Sequence, residues 1–145
     1  MKKKTTIFSI IIILLLSISI YFFYNRDKDI KSAVMIANGE KINLEIARTE
    51  QQKELGLMFR KELCEKCGMI FIFDEEEIRT FWMKNTYIPL DIIFISKNMR
   101  VNKIFKNVAK YDETISDDEL PKIGSYAKYV IEINAGSAER FGITE

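Results

Sequence analysis

Between Phe81 and Phe94 the chain reads Phe81-Trp82-Met83-Lys84-Asn85-Thr86-Tyr87-Ile88-Pro89-Leu90-Asp91-Ile92-Ile93-Phe94, setting its only Trp, a Lys, an Asn and an Asp among apolar neighbours. No other stretch constrains the fold as strongly. A lone ammonium or carboxylate buried among such side chains costs several kcal/mol, so the core that takes up this stretch must also give Lys84 and Asp91 water, a partner or a ligand.

The segments around it read as strands. Ala33–Ala37 and Ile42–Ala47 are apolar-rich and separated by Asn38-Gly39-Glu40-Lys41, which predicts a hairpin turning at Asn38 and Gly39. Thr49-Glu50-Gln51-Gln52 has capping-box spacing, and Gly56 is placed to end the short helix that follows. Gly68-Met69-Ile70-Phe71-Ile72-Phe73 is apolar on both faces and predicts a buried strand. The acidic residues Asp74–Glu77 are expected to turn the chain back into a second strand, Arg79–Met83, followed by strands at Leu90–Ile95, Val101–Val108 and Tyr129–Ile133. Tyr111–Ser125, with Pro121 and Gly124, is expected to be an exposed loop. Gly136–Phe141 forms one helical turn in this reading.

The beginning of the chain is different in kind. Lys2, Lys3 and Lys4 precede an uncharged run from Ile7 to Tyr24, which as a helix spans roughly 27 Å, close to the thickness of a bilayer's hydrocarbon core. A secretory signal peptide begins in the same way. Ser17 and Ser19 make a poor cleavage site, because a cut there leaves Ile20-Tyr21-Phe22-Phe23-Tyr24 at the new terminus, whereas aromatic residues suit an intact helix at the membrane surface. The expected organisation is therefore an anchor at residues 1–24, with secretion after cleavage as the alternative, a charged tether at 25–32, and one domain at 33–145. The short basic tail is read as cytoplasmic and the domain as extracytoplasmic.

Removing the anchor and tether takes away six of the 22 Lys and Arg and two of the 21 Asp and Glu, leaving 16 against 19. The net charge of about −3, with basic residues scattered among acids, argues against a nucleic-acid partner, which requires a basic face. With two Cys and no His, the chain lacks the usual four zinc ligands. Cys64-Glu65-Lys66-Cys67 leads into a strand rather than opening a helix, so a local disulfide or inert thiols are favoured over redox catalysis. Neither a Gly-x-Ser-x-Gly elbow nor a phosphate-cradling Gly-rich loop is present. Asp74–Glu77 is read as a solvated turn before it is read as a weak calcium site, and no cofactor is expected.

Asp91 is either a general base or a structural carboxylate held by Lys84 or by backbone donors, and the structural reading is favoured. Trp82 is either core or a platform for a sugar or a cation, and Arg60 either covers the core with its stem or belongs to the site.

Several of these stretches resemble the DUF192 family, a prokaryotic group of uncharacterised function. They are Thr49–Gln52, Gly56-Leu57-Met58-Phe59-Arg60, Gly68–Phe71, Phe81–Thr86, Ile88–Asp91 and Tyr129-Val130-Ile131-Glu132-Ile133-Asn134-Ala135-Gly136. The resemblance runs from Asn43 to Gly142 and implies a compact, mainly β (α+β) fold with one or two short helices, expected here as an antiparallel barrel or sandwich preceded by the transmembrane helix. It also implies export or membrane attachment, which suits the anchor, but no reaction.

Three functions follow as expectations. The first is a membrane-tethered binding module, with Arg60, Trp82, Lys84, Asn85 and Asp91 around a shallow pocket for an envelope carbohydrate or another small polar ligand. The second is a hydrolytic enzyme using Asp91 and Lys84 as an acid–base pair. The third is a protein-interaction domain whose polar cluster only locks the fold.

Overall fold

A computed structural model describes residues 32–145. The expected anchor and all of the tether except Ser32 lie outside the described residues. Among the described residues no helix is long and apolar enough to cross a membrane.

Strands β1 (Ser32–Ala37) and β2 (Glu40–Ala47) form the predicted hairpin. Asn38 and Gly39 both take positive φ, 49° and 79°, the turn geometry whose twist matches two antiparallel strands. Helix α1 (Glu50–Leu55) follows with its capping box intact: Thr49 Oγ1 accepts the Gln52 N–H at 3.2 Å and Gln52 Oε1 accepts the Thr49 N–H at 3.1 Å. The segment containing α1 crosses over, so that β3 (Cys67–Trp82) lies parallel to β2. Strands β4 (Leu90–Ile95), β5 (Val101–Val108) and β6 (Lys122–Asn134) complete one sheet in the order β1-β2-β3-β6-β4-β5. Helix α2 (Ser137–Arg140) ends the fold.

This mainly β architecture with two short helices corrects the expected antiparallel barrel or sandwich. The sheet is open, with β1 and β5 as its edges, and the β2–β3 pair is parallel. Two local expectations also change. Asp74–Glu77 do not turn the chain back but stay within β3, whose register against β6 shifts between Ile72 and Glu77; a bulge lets the acidic run remain in a strand while it faces water. Lys122–Ser125 belong to β6 rather than to a loop, because pairing with β3 overrides the local signals of Pro121 and Gly124. Gly124 lies opposite Thr80 in so close an approach that a Cβ there would sit 2.7 Å from the Arg79 carbonyl oxygen.

Every residue of β4 is buried, because the strand has core on both faces. Leu90, Ile92 and Phe94 pack with Phe71 and Val130 on one side, while Ile93 and Ile95 pack with Ile42, Leu44, Ile131 and Ile133 on the other. Each such side chain contributes about 1.5–3 kcal/mol when fully buried. On the first side Phe71, Phe81, Phe94 and Phe105 form an edge-to-face row with successive centroids 4.9, 5.8 and 5.7 Å apart. Holding Phe81 in that row directs its strand neighbour Trp82 to the opposite face of β3.

Candidate functional site

Trp82 ends β3 opposite Lys122, the first residue of β6. Trp82, the only Trp of the chain, is 38% exposed. Thr80, Phe81, Trp82 and Lys122 line an open depression of about 260 Å³. Two ammonium groups stand over the ring, Lys84 Nζ at 5.2 Å and Lys122 Nζ at 5.9 Å from its centroid. Lys84 also pairs with Asp117, and that hydrogen bond raises the Lys84 pKa above its ordinary value. Lys122 makes no ion pair among the described residues. The place therefore offers an aromatic face, one uncommitted positive charge and a hydroxyl.

The other expected site residues lie elsewhere. Asn85 takes φ 52°, a left-handed turn conformation that Asn tolerates, and its carbonyl accepts the Phe59 N–H at 2.7 Å. Its backbone thereby ties the Met83–Pro89 connection to the loop after α1. Asp91 is fully buried and does not meet Lys84. Its Oδ1 accepts the Asn107 N–H at 2.8 Å, where Asn107 sits with φ 53° in an irregular stretch of β5, and its Oδ2 accepts the Ala138 N–H at 2.8 Å at the start of α2. With both oxygens bonded to backbone donors and no opening to water, the expected pairing and acid–base partnership of Asp91 with Lys84 give way to a structural carboxylate. It is the backbone-donor form of the favoured reading that this geometry supports.

Arg60 belongs to a separate polar cluster. Its guanidinium forms a two-pronged pair with Glu45, both N–O distances being 2.5 Å, and this bonding raises the Arg60 pKa. Glu45, Met69, Glu132 and Ile92 are successive partners across β2, β3, β6 and β4, so Glu132 lies in the same row as the pair. Glu132 is only 6% exposed and its Oε2 lacks a hydrogen-bond partner. Burial pushes its pKa up to about 8, against a smaller lowering by the Arg60 charge, which favours the neutral acid at pH 7. Sequence reading passed over this residue. Its one signal was a single acid between Ile131 and Ile133 in an otherwise apolar strand.

Cys64 and Cys67 are joined by a disulfide just where β3 begins. Asn134 Nδ2 donates to the carbonyls of Leu63 and Cys64 at 3.2 and 3.0 Å, which fixes this loop to the end of β6. The bridge, far along β3 from Trp82, is part of how the Arg60 loop is held rather than part of the depression. Among the described residues no group of three or more His, Cys, Asp or Glu is arranged to hold a metal ion.

Among curated proteins none matches this chain. Two solved structures share its fold. One, from Sinorhizobium meliloti 1021 and described as a candidate transcription regulator, is 33% identical, with a TM-score of 0.66 over 78% of this chain and 85% of its own. The other, a protein of unknown function from Novosphingobium aromaticivorans DSM 12444, is 37% identical with a TM-score of 0.66, covering 78% of this chain and 79% of its own. Residues 33–145 match the family described as DUF192, Uncharacterized ACR, and with that match and these two relatives the chain belongs to the DUF192 family.

Proposed function

We propose that this protein is a binding module for a small acidic, carbohydrate-like ligand, seated on Trp82 between Lys84 and Lys122. The observation that carries this reading is the half-open Trp82 ring with an unpaired ammonium beside it in a depression, next to a strand whose other face is locked into the core. A pyranose ring presents C–H groups to an indole face and hydroxyls to Thr80, while a carboxylate on the sugar reaches Lys122. Net negative charge on the domain disfavours nucleic acid and leaves this small basic patch as a local exception. A reaction is not part of the reading, since neither buried acid reaches the depression.

Trp82 is the only Trp, so its fluorescence reports on this place alone. Titration with N-acetylmuramic acid, a sugar bearing a carboxylate, is expected to change that emission saturably, and N-acetylglucosamine is expected to bind more weakly. Lys122→Gln should weaken the acidic sugar by roughly three- to tenfold, the range for losing one charge-assisted contact at a partly exposed place, and leave the neutral sugar unaffected. Equal affinity for both sugars in the wild-type protein would remove the role assigned to Lys122.

The module is further proposed to be held outside the cytoplasm by residues 1–24, where envelope sugars occur. Support comes from the uncharged run Ile7–Tyr24 behind Lys2, Lys3 and Lys4. A reporter fused after Glu145 is expected to be active only when it requires export; activity confined to a cytoplasmic reporter would reverse the orientation.

A further inference from the structure

Trp82 is one end of a longer exposed strip. The outer half of β3 pairs with the first half of β6 in the register Ile78 to Tyr126, Thr80 to Gly124 and Trp82 to Lys122. All six side-chain positions lie on one face of this two-stranded stretch and all are exposed. Ile78 and Tyr126, 61% and 58% exposed, form an apolar pair at one end, and Trp82 with Lys122 forms the other. Between them the strip is lined only by Thr80 and Gly124, and Gly124 has no side chain to rise between the two aromatic rings.

We propose that this strip binds a linear oligosaccharide lengthwise, with Trp82 and Tyr126 as two stacking platforms and Gly124 as the floor between them. The inference rests on the reading of Trp82 as a sugar platform and adds the length and direction of the ligand. Trp82 and Ile78 are four residues apart in an antiparallel strand, so the platforms lie roughly 14 Å from each other. A single pyranose cannot touch both, whereas a chain of several linked rings can. Charge gives the direction. Lys122 and Lys84 flank the Trp82 end, while the other end is the apolar pair Ile78 and Tyr126. An acidic ring of the ligand therefore sits on Trp82, and the glycan runs from it toward Tyr126. Tyr and Trp suit this use because each gives a large rigid surface at small entropic cost and carries a polar edge.

The test compares two lengths of one glycan on the full chain in detergent micelles, using fragments of alternating N-acetylglucosamine and N-acetylmuramic acid with two and with four rings. The longer fragment is expected to bind at least tenfold more tightly. Tyr126→Ala should abolish that gain without changing the affinity for the shorter fragment, and Tyr126→Phe should keep the gain. Equal affinity for the two lengths, or a Tyr126→Ala loss shared equally by both, would overturn the extended strip while leaving the Trp82 platform in place. If the two-ring fragment does not bind at all, the Trp82 reading itself fails and the strip falls with it.

Discussion

Asp91→Asn is expected to destabilise the domain by about 2–4 kcal/mol, the loss of one charge-assisted hydrogen bond together with a donor turned toward another donor. In the native protein both carboxylate oxygens accept backbone N–H groups, one from Asn107 and one from Ala138, each at 2.8 Å. An amide can accept from only one of them and presents its own NH₂ to the other. Because the position is fully buried, water cannot enter to relieve the mismatch. The consequence reaches two separate elements, the irregular part of β5 and the first turn of α2, so the loss should appear in global unfolding rather than as local fraying. Denaturant midpoints of wild type and variant measure it directly. Lys84→Gln provides the contrast: its partner Asp117 is on the surface, and the midpoint should stay where it is. An Asp91→Asn midpoint that is unchanged or raised would mean that Asp91 is held at a cost to stability, as functional acids often are.

Glu132 has the larger consequence, and it depends on pH. Its folded pKa of about 8 lies above the ordinary 4.5, so between those values the unfolded chain gives up a proton that the folded chain keeps. Stability from this group is therefore full below about pH 4.5, falls as pH rises through the window, and levels off above pH 8. Its span is on the order of 3–6 kcal/mol. Glu132→Gln removes the titration while keeping the shape of the neutral acid. The variant is expected to match wild type near pH 5 and to exceed it by several kcal/mol at pH 8. Glu40, Asp112 and Glu145 are held below the usual carboxylate range by Lys66, Thr114 and Lys103 respectively; they act at the acid end and are common to both proteins, so the difference isolates Glu132. Wild-type and variant stabilities that run parallel from pH 5 to pH 8 would show that Glu132 is ionised in the fold and bonded by Arg60.

What could be read from the sequence was set by local chemistry. The Asn38-Gly39 turn and the Thr49–Gln52 cap are decided within a few residues, and both occur where those residues stand. The parallel β2–β3 pair and the unbroken β3 are decided by distant partners, and the sequence suggested otherwise. Acidic residues at 74–77 favour a turn when taken alone, but a bulge against β6 absorbs them. Pro121 and Gly124 look like loop residues, yet Gly124 is needed for close approach to Arg79. The candidate site divides in the same way. Trp82 and Lys84 could be assigned to one candidate site because they are near neighbours in the chain, whereas Lys122 joins them from forty residues away only through the β3–β6 register. Asp91 was visible as an acid in an apolar strand, but its partners are backbone N–H groups, which leave no trace in composition. Glu132 has the same sequence signature as Asp91 and a different fate, since its Oε2 finds no donor. Side-chain identity alone cannot separate the two.

The placement of ligand on Trp82 rather than on either buried acid is tested most directly by ¹⁵N–¹H correlation spectra of the full-length protein during titration with N-acetylmuramic acid. The single indole N–H resonance should shift progressively to saturation together with the amides of Thr80 and Lys122. The amides of Asn107 and Ala138, which bond Asp91, and those of Arg60 and Glu132 should hold their positions. Shifts that gather on those four amides while the indole resonance stays still would contradict the account and move the site to the interior of the sheet.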